Sequence, residues 1–297
     1  RFLRSLDRPG EAGGRKIAAR ASIGISLRPQ HGDEADELMR VADAAMYRVK
    51  AAGRGGWKVW DPAWATEPLR RSESVERLRE ALRRGELVLH YQPQRSASDG
   101  AVVGVEALVR WAHPERGLLR PMDFLPLAAE AGLIRPIFAW VLGEAVDRLL
   151  AWERAGLDVD RIAINLGARE LMQPQLLDEV RAVLARTGVS PKRLEVEVGE
   201  DAAMLEDVEV RRSLAALHEL GVGIAIDDFG SGPTSLVFLA RFPIRTLKLG
   251  ASLVAGLPGD RECAALVRMA VALVRSLGRE RVVAEGVETE EQLAFVR

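Results

Sequence analysis

The feature that most constrains this chain is a rhythm that starts at Glu86: a short apolar run, then a longer amphipathic one, repeated to the end. Strand-like runs occupy residues 87–94, 102–111, 161–166, 194–198, 223–227, 246–249 and 282–284. Helical periodicity separates most of them, at residues 137–155, 175–187, 208–220 and 261–277. Alternating strand and helix imply a parallel sheet covered by helices. About 225 residues with seven visible strands suit an α/β fold of the TIM-like (β/α)8 type that lacks its last βα unit in this chain. A doubly wound open sheet is the alternative, but no glycine-rich phosphate fingerprint follows the first strand.

Residues 1–60 have a different pattern. Residues 21–27 alternate as a strand does, and residues 33–52 carry a helical stripe of Leu38, Val41, Ala42, Ala45 and Met46 with Gly53 as its stop. Residues 57–60 make a short strand. Residues 61–71, with Pro62 and Pro68, read as a linker, and a charged helix follows from about Ser72 to Arg84. The expected organisation is therefore 1–60, linker, and 72–297.

In a barrel, chemistry sits at the C-terminal ends of the strands. Here those ends carry Glu106, Asn165, Glu197 with Glu200 beyond it, the pair Asp227-Asp228, Lys248, and Glu285 with Glu288 beyond it. So many carboxylates at one level repel each other unless a cation sits among them. The donors are all oxygen, and none of His31, His90, His113 and His218 matches a strand end, which favours Mg²⁺, Mn²⁺ or Ca²⁺ over Zn²⁺. Adjacent aspartates let one carboxylate bridge two ions, and two ions roughly 3.5–4 Å apart suit in-line phosphoryl displacement. Composition sharpens two positions. The chain has only five lysines and a single asparagine, so Lys248, inside an apolar strand, and Asn165 are more than incidental. Lys248 beside such ions can orient a water or stabilise developing charge. Gly230 and Gly232 let the loop after Asp228 pass close to a ligand, and Glu200 can hold that loop through backbone N–H groups.

A formal charge of −1 marks no broad nucleic-acid surface, so DNA is not an expected partner. The lone Cys263 excludes a disulfide framework and fits a cytoplasmic, reducing compartment. No apolar run reaches the length of a membrane span, so any anchor of the full protein lies outside this chain. The start at Arg1 and the stop at Arg297 inside a helical pattern read as a piece of a longer protein.

From about residue 72 the motifs resemble the EAL-domain family of cyclic-di-GMP phosphodiesterases. They are Glu106-Ala107-Leu108, Asn165-Leu166, Glu197 through Glu200, Asp227-Asp228-Phe229-Gly230, Lys248 and Ala284-Glu285-Gly286-Val287-Glu288-Thr289, with Tyr91-Gln92-Pro93 and residues 121–134 in support. The resemblance implies metal-dependent opening of cyclic-di-GMP to linear pGpG in bacterial second-messenger signalling, with two Mg²⁺ or Mn²⁺ ions. It implies Glu106, Asn165, Glu197 and Asp227 as metal ligands, with Asp228 completing a second site. It places Lys248 and Glu285 at the attacking water, Glu200 behind the loop, and Arg110, Gln92 and Glu288 at the substrate.

Residues 1–60 resemble the C-terminal part of a GGDEF domain, through Ser22-Ile23-Gly24-Ile25 and Ala42-Asp43-Ala44-Ala45-Met46-Tyr47, with Lys50 and Arg54 at nucleotide-binding positions. That family's signature loop is absent from the chain, so a structural remnant is the preferred reading. Upstream sensor or GGDEF domains are the expected partners, with a homodimer as a further option.

The chain departs from the EAL pattern at Gly250, where the family has Asp, and at Gly167, Gly199 and Pro233, where it has Ser, Thr and Tyr. Three readings stay open: an active phosphodiesterase, a weak or silent cyclic-di-GMP-binding module favoured by Gly250, and another metal-dependent barrel enzyme.

Overall fold

The computed structural model describes residues 10–12, 15–17, 21–51, 56–203, 207–231 and 242–297. The chain divides into two compact units, Arg1–Arg77 and Leu78–Arg297.

The first unit holds an antiparallel pair, β1 (Gly10–Ala12) and β2 (Arg15–Ile17), and a βαβ motif. In that motif β3 (Ile23–Ile25) and β4 (Trp57–Val59) pair in parallel, joined through helix α1 (Ala35–Ala51). Helix α1 buries Val41, Ala45 and Val49 at four-residue spacing, the stripe that seats a helix on a sheet. It lies so close to β3 that a Cβ at Gly24 would collide with the Ala42 carbonyl and the Met46 amide, so only glycine fits. Gly53 and Arg54 lie outside the described residues, and Lys50 is exposed in the last turn of α1.

The stretch expected to be a linker is helical. Helix α2 runs Ala63–Arg84. Pro62 stands just before its first residue, where a missing N–H costs nothing, and good helix formers surround Pro68. Burial of Leu78 and Ala81 fixes the C-terminal half.

The second unit opens with β5 (Leu87–Arg95) and β6 (Val102–His113), which pair antiparallel with Gln92 opposite Glu106. This corrects the expectation of an all-parallel sheet. Residues 96–101 are too few for a crossover, and Gly100, at φ 76°, closes a turn in which Ser96 and Ala101 bond through their backbones. The short β7 (Gly117–Leu119) folds back onto β6. Then follow α3 (Pro121–Glu130), α4 (Ile134–Arg154), β8 (Ile162–Asn165), α5 (Ala168–Leu171), α6 (Leu176–Thr187), β9 (Leu194–Gly199) and α7 (Glu200–Ala203). The rest is α8 (Val208–Leu220), β10 (Gly223–Phe229), β11 (Thr246–Leu249), α9 (Ala251–Ala255), α10 (Arg261–Ser276), β12 (Arg281–Ala284) and α11 (Glu290–Val296).

The strand order is β5-β6-β8-β9-β10-β11-β12, and every pair after the first is parallel. A doubly wound sheet reverses its order at a switch point; this one never does. Cross-sheet contacts show how far it curls. Four strand steps separate β6 from β11, roughly 19 Å in a flat sheet, yet Lys248 on β11 lies 3.1 Å from Glu106 on β6. The sheet is therefore the wall of an incomplete barrel.

Period-two alternation sorts its residues. Leu194, Val196 and Val198 of β9 join Leu142, Leu149, Leu214 and Leu217 of the helices in the apolar core. Glu195 and Glu197, between them, point into the barrel. Strands β5 and β12 form the two edges, and both line a cavity of about 1780 Å³ that reaches Glu106, Asp227, Lys248 and Glu285. Among the described residues no helix is long and apolar enough to cross a membrane.

Candidate catalytic and metal-binding site

Lys248 is the centre of the site. It is 1% exposed, and its Nζ lies 2.6 Å from Glu197, 2.8 Å from Glu285, 3.0 Å from Asp227 and 3.1 Å from Glu106. These carboxylates come from β9, the end of β12, β10 and β6, so the fold and not local sequence assembles them. Asn165, at the end of β8, donates from Nδ2 to the other oxygen of Glu106 at 2.9 Å. Six strands, with β11 carrying Lys248, thus converge at the level the sequence pointed to.

Among the described residues one ammonium faces four carboxylates. Burial pulls the Lys248 pKa down, but Glu197, Glu106 and Asp227 outweigh it and hold the group above its usual value. Burial is the main force on Glu197 too, and with repulsion from Glu106 and Asp227 it outweighs Lys248, pushing that carboxyl up to about 9. Glu285 is raised by burial, against the pull of Lys248.

The donor set suits an oxygen-seeking divalent cation. Glu197 is 1% exposed, and its Oε1 has no hydrogen-bond partner, an orphaned carboxyl oxygen inside the ring of acids. Among the described residues no group of three His, Cys, Asp or Glu side chains is already drawn together as a metal-ligand set. The Lys248 ammonium stands between them.

The remaining expected residues lie around this centre. Asp228, next along from Asp227, is exposed and adopts φ 57°, the left-handed region, with its N–H on Asp227 Oδ1. Glu200 is buried at the start of α7, and its Oε2 accepts the Gly230 N–H at 3.0 Å, which ties down the loop after β10. Gln92 lies opposite Glu106 across the β5–β6 pair and lines the cavity. Arg110 shares a strand face with Glu106 and donates to the Val109 carbonyl at 2.8 Å, not to the acids. Glu288 is exposed beyond Gly286. Gly232 and Pro233 lie outside the described residues.

The three glycine departures share one property. A Cβ at Gly250 would collide with Asp228 Oδ1; at Gly167 it would lie 2.6 Å from Glu170 Oε2, and at Gly199 2.9 Å from Asp201 Oδ1. At each, a carboxylate oxygen occupies the space of the missing side chain.

Below the acids lies a second polar layer that sequence reasoning did not single out. Arg161 donates to Gln94 Oε1 at 2.6 Å and to the Val103 carbonyl at 2.7 Å, and its Nε lies 3.4 Å from Glu195 Oε1. Thr246 donates to Glu195 Oε2 at 2.8 Å, and Arg281 lies 3.6 Å from that oxygen. The available signal was the same-face position two residues before Glu197 and before Lys248.

A profile of the EAL domain matches residues 75–297, and one of the diguanylate cyclase GGDEF domain matches residues 1–56. The chain belongs to the EAL-domain family. It is 41% identical over 296 residues to the bifunctional diguanylate cyclase/cyclic di-GMP phosphodiesterase MucR of Pseudomonas aeruginosa, covering 100% of this chain and 43% of that protein. It is 38% identical over 297 residues to the cyclic di-GMP phosphodiesterase NbdA of the same organism, covering 100% and 38%. The chain thus spans less than half the length of these relatives. Its EAL domain also resembles the solved structure of the PaMucR phosphodiesterase in complex with c-di-GMP, at 44% identity and a TM-score of 0.70, covering 75% of this chain and 90% of that one.

Proposed function

We propose that this EAL domain hydrolyses cyclic-di-GMP to linear pGpG in a reaction that depends on Mg²⁺ or Mn²⁺. The observation that carries the reading is the convergence of Glu106, Glu197, Asp227 and Glu285 on Lys248 at the C-terminal ends of the barrel strands. The named activities of relatives and the ligand in the PaMucR structure supply the substrate class.

Glu106, Asn165, Glu197 and Asp227 would hold one divalent ion, and Asp228 would complete a second site. Bound ions neutralise charge on a phosphoryl group and acidify water at neutral pH. The chain's own groups do the positioning. The Lys248 ammonium orients the attacking water and stabilises developing negative charge. Glu285, next to Lys248, accepts a proton as that water attacks. Arg110, with its planar fork, fits a phosphate of the substrate, and Gln92 and Glu288 contact the dinucleotide. Glu200 fixes the Asp228–Gly230 turn so that Asp228 keeps its place.

A binding module that holds cyclic-di-GMP without cutting it is the second reading. Gly250 favours it, because it supplies no carboxylate beside Lys248. Incubating the protein with cyclic-di-GMP and Mg²⁺ or Mn²⁺, then separating products by chromatography, decides between them. We expect metal-dependent linear dinucleotide, reduced at least about 100-fold in Glu106→Ala. Bound but uncut ligand with both metals would establish the module and end the enzyme reading.

A further inference from the structure

We infer that Gln292 is a positioning residue: it locks the loop from Glu285 to Thr289 onto helix α9 and so holds Glu288 where the substrate binds. This rests on the proposed contact between Glu288 and the dinucleotide, and the test separates the two.

Three observations carry it. Gln292 stands in the first turn of α11, where a glutamine can reach back to the amide of the residue that caps the helix. It does so here: its Oε1 accepts the Thr289 N–H at 3.0 Å, and the Thr289 hydroxyl accepts the Gln292 N–H at 3.2 Å. The same Oε1 also accepts the Glu288 N–H, outside the helix, at 2.7 Å. Next, capping does not require burial, yet Gln292 is 7% exposed. Its Nε2 donates to the Val254 carbonyl at 3.3 Å, in α9, the helix that follows Lys248 and Gly250. One side chain thus ties the loop after β12 to the segment after β11. Last, the near end of the loop is held independently. The Glu285 N–H bonds to the Leu249 carbonyl at 3.1 Å. Gly286, at φ 67°, packs so closely on α9 that a Cβ there would lie 2.8 Å from the Ala251 Cβ.

The two anchors divide the work. Glu285 keeps its place beside Lys248 through Leu249 and Gly286. Glu288, three residues on, is exposed, and its backbone N–H is held by Gln292. Loss of Gln292 therefore weakens substrate binding and leaves the chemical step nearly intact.

The test is a double-mutant cycle of Gln292→Leu and Glu288→Ala, read as KM and kcat for cyclic-di-GMP with Mn²⁺. Leucine fills a similar space and makes none of the three side-chain bonds to Glu288, Thr289 and Val254. Alone, each change should raise KM about tenfold and move kcat less than about threefold. Together they should raise KM little more than either alone, because a misplaced Glu288 has no contact left to lose. Additive effects, an unchanged KM in Gln292→Leu, or a loss confined to kcat overturns the proposal. An unchanged KM in Glu288→Ala removes the substrate contact and overturns it too. A wild type that binds cyclic-di-GMP without cutting it ends the enzyme reading only, and the same cycle is then read in Kd by calorimetry. Folded wild type that neither binds nor cuts overturns both.

Should Gln292→Leu not fold, the wild type still reports. Hydrogen exchange followed by NMR should show the Glu288 and Thr289 amides protected at least about tenfold over an open loop. Exchange of both at open-loop rates overturns the lock.

Discussion

The barrel interior holds two polar layers, built from the same strands, with opposite electrostatic character. In the lower one, Glu195 is surrounded by Arg161, Arg281 and Thr246, and Arg161 finds further acceptors in Gln94 and the Val103 carbonyl. In the upper one, two residues along β9 and β11, the ratio is inverted: among the described residues Lys248 alone faces Glu106, Glu197, Asp227 and Glu285. Buried charge is tolerated when it is paired and hydrogen-bonded. The lower layer is charge-paired from within the chain, although Arg161 Nε and Glu195 Oε1 make no hydrogen bond. The upper layer differs in charge balance: among the described residues it sets four acids against one ammonium.

The sharpest way to break this comparison is to unpair the lower layer. Glu195→Gln, or Arg161→Met, should cost about 3–5 kcal/mol in urea unfolding, the usual penalty for stranding a buried charge. That loss should be the same in EDTA and in Mn²⁺, since the layer has its own counter-ions. Recovery on adding Mn²⁺ would mean that the two layers are one coupled system. The next effect is smaller and has the opposite ion dependence. Asn165→Asp replaces the amide donor to Glu106 with a fifth acid in the upper layer. It should lower stability by about 1–3 kcal/mol in EDTA, and Mn²⁺ should recover most of it. A loss indifferent to Mn²⁺ would place Asn165 outside any metal site.

The two layers also differ in how far the sequence reveals them. Lys248 and Asn165 stand out because the chain avoids both residue types, and the acids stand out because they close their strands. Arg161 and Glu195 carry no such mark. Arg161 sits before its strand and resembles an edge residue, and Glu195 resembles an exposed alternate position until the curl of the sheet is known. The same limit applies to the fold. Helix α8 is readable to the residue, because Asp207 caps one end by accepting the Glu209 and Val210 amides and Gly221, at φ 95°, ends the other. The antiparallel β5–β6 pair was missed because strand periodicity carries no direction; only the brief connection of residues 96–101 does. Helix α2 was cut short because Pro68 reads as a breaker, whereas packing at Leu78 and Ala81 sustains the helix.

Gly250 gives the smallest stability effect and the finest resolution. Its missing side chain is not an empty space: Asp228 Oδ1 occupies it, from a residue held at φ 57°. Gly250→Ala would place a methyl group there. The obstacle is the tip of an exposed, flexible side chain, so the cost in unfolding should stay within about 0.5 kcal/mol. The carboxylate must nevertheless turn away, and if Asp228 completes a second ion site, Mn²⁺ affinity at that site should fall about tenfold, or about 1.4 kcal/mol. Calorimetry resolving two binding events would show one weakened and one unchanged. Gly250→Asp also displaces Asp228, but it returns a carboxylate to the same region and should recover affinity. Should Gly250→Ala leave both events untouched, Asp228 takes no part in ion binding, and the upper layer is a one-ion site.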